Sequence, residues 1–215
     1  MTETEEEEIK RLKKEREEEL RKRRIEDEQK TQISIFKEEL HSKIHEYYIN
    51  ILEQWTGRKV TEIVIDSTEY NWNFWETIFC PKIIGKSNLM FIITNDDGEA
   101  FGYYFSGQIL KKKSWQMIQT IDESFHFNLS SKNNRLSQPM KFPITDTSTS
   151  GYILYGKPSP ELITIGDITL MKGSLEKQKQ SHCNQSDNFE YGGISNALCG
   201  KTKFTISQLL VLQMN

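Results

Sequence analysis

Apolar and polar positions divide the chain into two unlike stretches. Between Glu3 and Lys30 it carries 12 acidic and 10 basic side chains, with Ile9, Leu12, Leu20 and Ile25 as its sizeable apolar residues. The charges are ordered. Glu6–Lys10, Glu7–Arg11, Glu17–Arg21, Glu18–Lys22, Glu19–Arg23 and Glu26–Lys30 are all i,i+4 pairs with Glu on the N-terminal side. Each such pair stabilises an isolated helix by about 0.2–0.5 kcal/mol. No Gly or Pro precedes Gly57 to interrupt it. Residues 1–32 therefore read as a charged helical extension, free-standing or in a coiled coil. From Ile33 the pattern changes. Ile33, Phe36, Leu40, Ile44, Tyr47 and Ile51 step by three or four and draw one apolar stripe. The stripe predicts an amphipathic helix over 33–57, with Gly57 as its C-terminal stop. It either packs on the β domain or pairs with another copy or a partner. Upstream apolar residues are too sparse for a strong coiled-coil seam, so a homodimer through residues 1–56 would be weak.

After Gly57 the period becomes that of β structure. Val60–Asp66 reads as a first strand, and residues 71–79 as a short helix capped by Asn71 or Asn73. The clearest signal is a hairpin over residues 88–106. Phe91-Ile92-Ile93 and Phe101-Gly102-Tyr103-Tyr104-Phe105 flank a polar turn, Asn95-Asp96-Asp97-Gly98. Phe125–Leu129 alternates as a half-buried strand, which places His126 opposite its phenylalanine neighbours and in solvent. Tyr152–Tyr155, Leu162–Ile165 and Ile168–Met171 are further short strands, divided by Gly156-Lys157-Pro158 and Gly166-Asp167. Residues 172–188 read as an exposed loop, and Phe204–Gln213 as a last strand. Short strands with turn signals between them argue for an α+β chain: an antiparallel β-sandwich over 58–215 with flanking short helices, preceded by the long charged helix.

Composition narrows the function. At 215 residues the chain fits one domain and an appendage, and a net charge of −3 gives no bulk attraction to polyanions. No 18-residue apolar run offers a membrane span, and the acidic start is unlike a signal peptide. Three cysteines without CxxC spacing agree with a reducing compartment, and the expected location is the cytoplasm.

Candidate chemistry is thin. His182-Cys183 with Cys199 could supply zinc ligands, but adjacent ligands share a tetrahedral site poorly and no fourth stands out. Cys80, Cys183 and Cys199 are candidate nucleophiles, with His126 and His182 as bases, yet nothing marks them as a unit and there is no G-x-S-x-G elbow. A reactive thiol needs a nearby cation, for which Lys201 and His182 are the sequence candidates. Gly192-Gly193 reads as a turn or bulge. Lys111-Lys112-Lys113 near Trp115 and Asn133-Asn134-Arg135 read as solvated loops, so nucleic acid is not an expected partner. Asp96-Asp97-Gly98-Glu99 has the look of part of a calcium loop, but β sequence flanks it and a turn is the better account. No catalytic, cofactor-binding or metal-binding residue is assigned, and no cofactor is expected.

The order of motifs from about residue 50 to 213 resembles the TLDc family, the domain of the oxidation-resistance proteins, and among them divergent members from amoeboid protists. Ile63-Val64-Ile65-Asp66-Ser67 and residues 73–79 match its early strand, serine and short helix. Asp97-Gly98-Glu99-Ala100-Phe101-Gly102-Tyr103 matches its hairpin. Phe125–Leu129, Ile165–Leu170, Cys183, Phe189 or Tyr191, Leu198 and Phe204-Thr205-Ile206 are similar to later motifs. The family closes with a Glu and a Trp two residues apart, and by spacing from Phe204 those places hold Leu210 and Leu212. The resemblance implies a helix-flanked β-sandwich with a non-enzymatic role. That role is protein interaction, tied to oxidative-stress protection or to the vacuolar proton-pumping ATPase. The alternatives are a self-associating coiled-coil adaptor and a cysteine-based peroxide-handling enzyme.

Overall fold

The computed structural model describes residues 3–70, 75–111, 117–119, 123–131, 136–148, 150–155, 159–172 and 180–215. The expected caps Asn71 and Asn73, Lys112-Lys113, Trp115, Asn133-Asn134-Arg135 and Gly156-Lys157-Pro158 lie outside them. The chain forms two units, residues 1–47 and 48–215.

The first unit is the helix α1, Glu3–Lys43. It passes through the expected boundary at 32/33 without interruption and ends at Ile44, whose N–H makes a last bond to Leu40 O at 3.0 Å. A second helix, α2, Glu46–Thr56, then begins. His45 Nδ1 accepts the Tyr47 N–H at 3.2 Å, satisfying one of the donors that a helix start leaves open. The expected single helix over 33–57 is thus two, and the break resets the phase of the stripe. In α2 the buried residues are Ile49 and Leu52, while Tyr47 is 53% exposed. Gly57 ends α2 at φ +66°, its N–H on Glu53 O at 2.9 Å, as expected of a left-handed C-terminal residue.

The second unit holds two six-stranded antiparallel sheets. The first contains β1 Val60–Asp66, β2 Ser87–Asn95, β3 Ala100–Gln108, β5 Phe125–Ser130, β6 Met140–Pro143 and β12 Ile206–Met214, in the order β1-β12-β2-β3-β5-β6. The second contains β4 Ile118–Gln119, β7 Gly151–Leu154, β8 Glu161–Ile165, β9 Ile168–Met171, β10 Ser181–Cys183 and β11 Lys203–Phe204, in the order β11-β10-β9-β8-β7-β4. The described part of the expected helix over 71–79 is α3, Trp75–Ile83, which runs four residues past its expected end. Part of the expected 172–188 loop is strand β10, because Cys183 and His182 pair with Ile168 and Thr169 of β9. Among the described residues no helix is long and apolar enough to cross a membrane.

The first sheet is covered on both faces. Its inner face meets the second sheet through Phe91, Ile93, Phe101, Tyr103, Phe105, Leu209 and Val211, packed with Ile163, Ile165, Ile168 and Leu170. On the outer face, Trp55 of α2 lies 6.2 Å from Phe125 and 6.4 Å from Phe127, ring to ring. Lys141 of β6 closes that layer, with Nζ donating to Trp55 O at 3.1 Å and sitting 4.2 Å over the Phe125 ring. Full burial of side chains of this size contributes about 1.5–3 kcal/mol each. Leu210 and Leu212 alternate with the inner-face Leu209 and Val211 and are 2% and 0% exposed. Position 210 is therefore an apolar interior, where a carboxylate would lose its hydration.

The hairpin forms as read. Asn95 organises its turn, with Oδ1 accepting from Asp97 N at 3.0 Å and Glu99 N at 2.9 Å, and Gly98 takes φ +81°. Gly102 is needed for space, not conformation. A Cβ there would stand 1.8 Å from the Phe91 carbonyl oxygen. The last strand enters between the first strand and the hairpin, with Val211 opposite both Ile65 and Phe91. Ser67 fastens it by accepting the Leu209 N–H at 2.8 Å.

Candidate functional site

The groups with most chemical potential meet between the two sheets, around His126. Strand β5 is paired by β3 and β6, so its alternate residues face opposite layers. Phe125 and Phe127 take the α2 side, as the alternation requires. His126, expected in solvent, is 0% exposed. The alternation was right, but the face opposite the phenylalanines is the inter-sheet core. The His126 ring lies 4.2 Å from Phe189, 4.7 Å from Tyr103 and 6.3 Å from Tyr191, centroid to centroid.

Both ring nitrogens are used. The Asp167 N–H donates to His126 Nε2 at 3.0 Å, so Nε2 carries no proton. Nδ1 then holds the hydrogen and donates to Gly102 O at 3.1 Å. Burial is the chief cause that lowers the imidazole to about 4, against partial support from Asp167 and Gly102 O. His126 is thus a neutral imidazole in one tautomer. Gly166, at φ +53°, lets the β8–β9 turn come this close, since a Cβ there would lie 2.4 Å from Nε2.

The Asp167 carboxylate faces the other way. It accepts from Ser186 N at 2.9 Å, Ser186 Oγ at 2.7 Å and Tyr191 OH at 2.8 Å. Burial first, and then the Asp167 charge, push the Tyr191 phenol far up. The set contains Ser, His and Asp but not a relay. A relay places the imidazole between carboxylate and hydroxyl, whereas here the imidazole takes a backbone N–H and Ser186 donates straight to the carboxylate.

The cysteines follow the same theme. Cys183 and Cys199 are buried and form no disulfide, and Cys80 is half-buried in α3. A hydrogen bond with Cys199, then burial, then the nearby charge of Asp167 hold the Cys183 thiol well above its ordinary range. The Cys199 thiol donates to Lys201 O at 2.9 Å. Lys201, a sequence candidate for the activating cation, instead pairs with Asp97 and, at 3.6 Å, with Asp96 on the hairpin turn. Asp96 and Asp97 thus share one cation on the hairpin turn. His182 is half-buried between buried Ser181 and Cys183, on the other face of β10, so it shares no site with Cys183. No metal-holding cluster of three His, Cys, Asp or Glu occurs among the described residues. Gly192 and Gly193 take φ +61° and +74°, as a turn requires.

The Asp167–Ser186–Tyr191 part of this network escaped the sequence reading. Its only sequence signal is Gly166-Asp167 between two strands, which marks a turn but not the partners of its aspartate. No protein-family model matches the chain, and no curated protein matches it either.

Proposed function

We propose that the chain is a non-enzymatic protein-interaction module of the TLDc type, located in the cytoplasm, with subunits of a vacuolar proton-pumping ATPase as the partner class. One observation carries the reading: the polar atoms best suited to chemistry are spent inside the fold. His126 is engaged at both nitrogens, Asp167 takes three donors, and Cys183 is buried beside Cys199 with its thiol held protonated. A group must be poised near working pH to serve as base or nucleophile, and His126 is held below that range while the Cys183 thiol is held above it. The hairpin and Ser67, two of the motifs on which the resemblance stands, occupy organising positions in the first sheet, which supports the family reading. The buried Leu210 means that any acidic contact to the partner comes from elsewhere on this chain.

The test is binding of the full chain to purified peripheral subunits of the pump at physiological ionic strength. Saturable retention that survives Cys183→Ser is expected. Absence of retention, with peroxide consumption that Cys183→Ser and Cys199→Ser abolish, would replace this reading with the thiol-based one.

A further inference from the structure

We propose that α1 is a self-supporting monomeric helix, held by its own ion pairs, that acts as a stiff spacer between its two ends. Its 41 residues span about 60 Å at the helical rise. The first support is the distribution of apolar side chains. Leu12, Leu20, Ile25, Ile33 and Ile35 are 53%, 55%, 44%, 54% and 54% exposed. At about 100° per residue they point roughly 80°, 220°, 300° and 140° around the axis from Leu12, so they encircle the helix. A coiled coil needs them on one seam.

The second support is the charge ladder. Every charged residue from Arg11 to Lys30 has an opposite charge three or four positions away. The pairs run in both directions: Glu17, Glu18 and Glu19 reach forward to Arg21, Lys22 and Arg23, and Lys22, Arg23 and Arg24 reach forward to Glu26, Asp27 and Glu28. Contacts of this kind are formed at Arg23–Glu19, 2.6 Å, Arg11–Glu15, 3.7 Å, and Lys30–Asp27, 3.9 Å. A helix that is polar all round persists when many such pairs support it. One pair contributes little, but the ladder is continuous, and each residue fixed by one pair is presented to the next. Adding a partner helix would bury these charges and gain almost no apolar contact.

The test uses the full chain carrying Cys80→Ser, with spin labels at Arg16→Cys and Gln32→Cys, two positions without an i,i+4 ion-pair partner. The expected result is one narrow distance near 24 Å, set by the helical rise, unchanged across a wide range of protein concentration, with monomeric sedimentation. Reversing Glu17, Glu18 and Glu19 to Lys should broaden that distance, since it sets like charges against Arg21, Lys22 and Arg23. Leu20→Ala with Ile25→Ala should leave it narrow. Near-ultraviolet circular dichroism confirms that the β unit is folded in both variants. Concentration-dependent dimerisation, or broadening by the alanine pair but not by the charge reversal, would overturn the proposal in favour of an apolar seam. A broad distance in the starting chain would overturn it in favour of a coil.

Discussion

Helix α1 and the two-sheet unit are stabilised over different sequence distances. In α1 the interacting residues are three or four positions apart, as in the Arg23–Glu19, Arg11–Glu15 and Lys30–Asp27 pairs. In the sheets the deciding contacts join Ile65 to Val211, Gly102 to His126 and Asp167 to Tyr191. Chain entropy must be lost before such contacts can form. The helix can therefore lose any one pair with little consequence, while the sandwich has single positions on which the whole packing depends.

The largest expected effect follows from that difference. Gly102→Ala places a Cβ 1.8 Å from a backbone oxygen of the paired strand, so β2 and β3 must separate. It should cost more than about 3 kcal/mol, beyond ordinary overpacking, and abolish the cooperative thermal transition. The helical circular-dichroism signal of α1 should remain. Gly98→Ala, four residues earlier, meets open space and suffers only from its φ of +81°. It should cost about 1–2 kcal/mol, the penalty of a left-handed residue. Equal melts for the two variants would mean that Gly102 is not at the contact described.

Acid separates the two regions next. The folded pKa of His126 is depressed to about 4 from an ordinary 6.5, so the unfolded chain binds the extra proton between those values. Its contribution to stability is complete above about pH 6.5, falls as the pH drops, and is gone below about pH 4. The difference corresponds to about 3 kcal/mol. Urea unfolding of the sandwich should lose stability progressively between pH 7 and 4.5, and His126→Gln should flatten that slope. His126 belongs to the two-sheet unit, so the helical signal of α1 is followed separately from this transition. A flat profile in the unmodified chain would show that His126 is not held neutral.

Tyr191→Phe should cost about 2 kcal/mol, the range for a hydrogen bond to a charged group. Ser186 continues to hold Asp167, so the fold should survive with a lower denaturant midpoint. A midpoint unchanged within error would remove Tyr191 from the network. The smallest effect belongs to the helix. Glu19→Gln breaks the Arg23 pair at 62–70% side-chain exposure and should cost only about 0.3 kcal/mol, read as a slight loss of helicity. Molar salt should weaken the ladder more than this single change while leaving the sandwich transition in place.

The same contrast governs what could be read in advance. The α1 charge ladder, the Gly57 stop, the hairpin and most strands rest on neighbours within a few residues, and they appear where the sequence places them. Strands β4, β6 and β10 were missed because two to four residues pair only when a distant strand supplies the partner. The break at Ile44-His45 was missed because the apolar stripe runs through it without change of period. His126 was misplaced for a related reason. Alternation tells which residues share a face but not how many faces are covered, and here α2 closes one while the second sheet closes the other.

By itself, then, the sequence determined the local terms: a charged helix, antiparallel strands, a turn at Asn95–Gly98, and the need for glycine at Gly57 and Gly98. Only the tertiary structure decided that Gly102 is required by the Phe91 carbonyl, that Leu210 is interior, and that buried His126, Tyr191 and Cys183 gather around a half-buried Asp167. Helical pairs and turn conformations are settled over a few residues. Burial and hydrogen-bond partners across two sheets are settled only when strands far apart in the chain have come together.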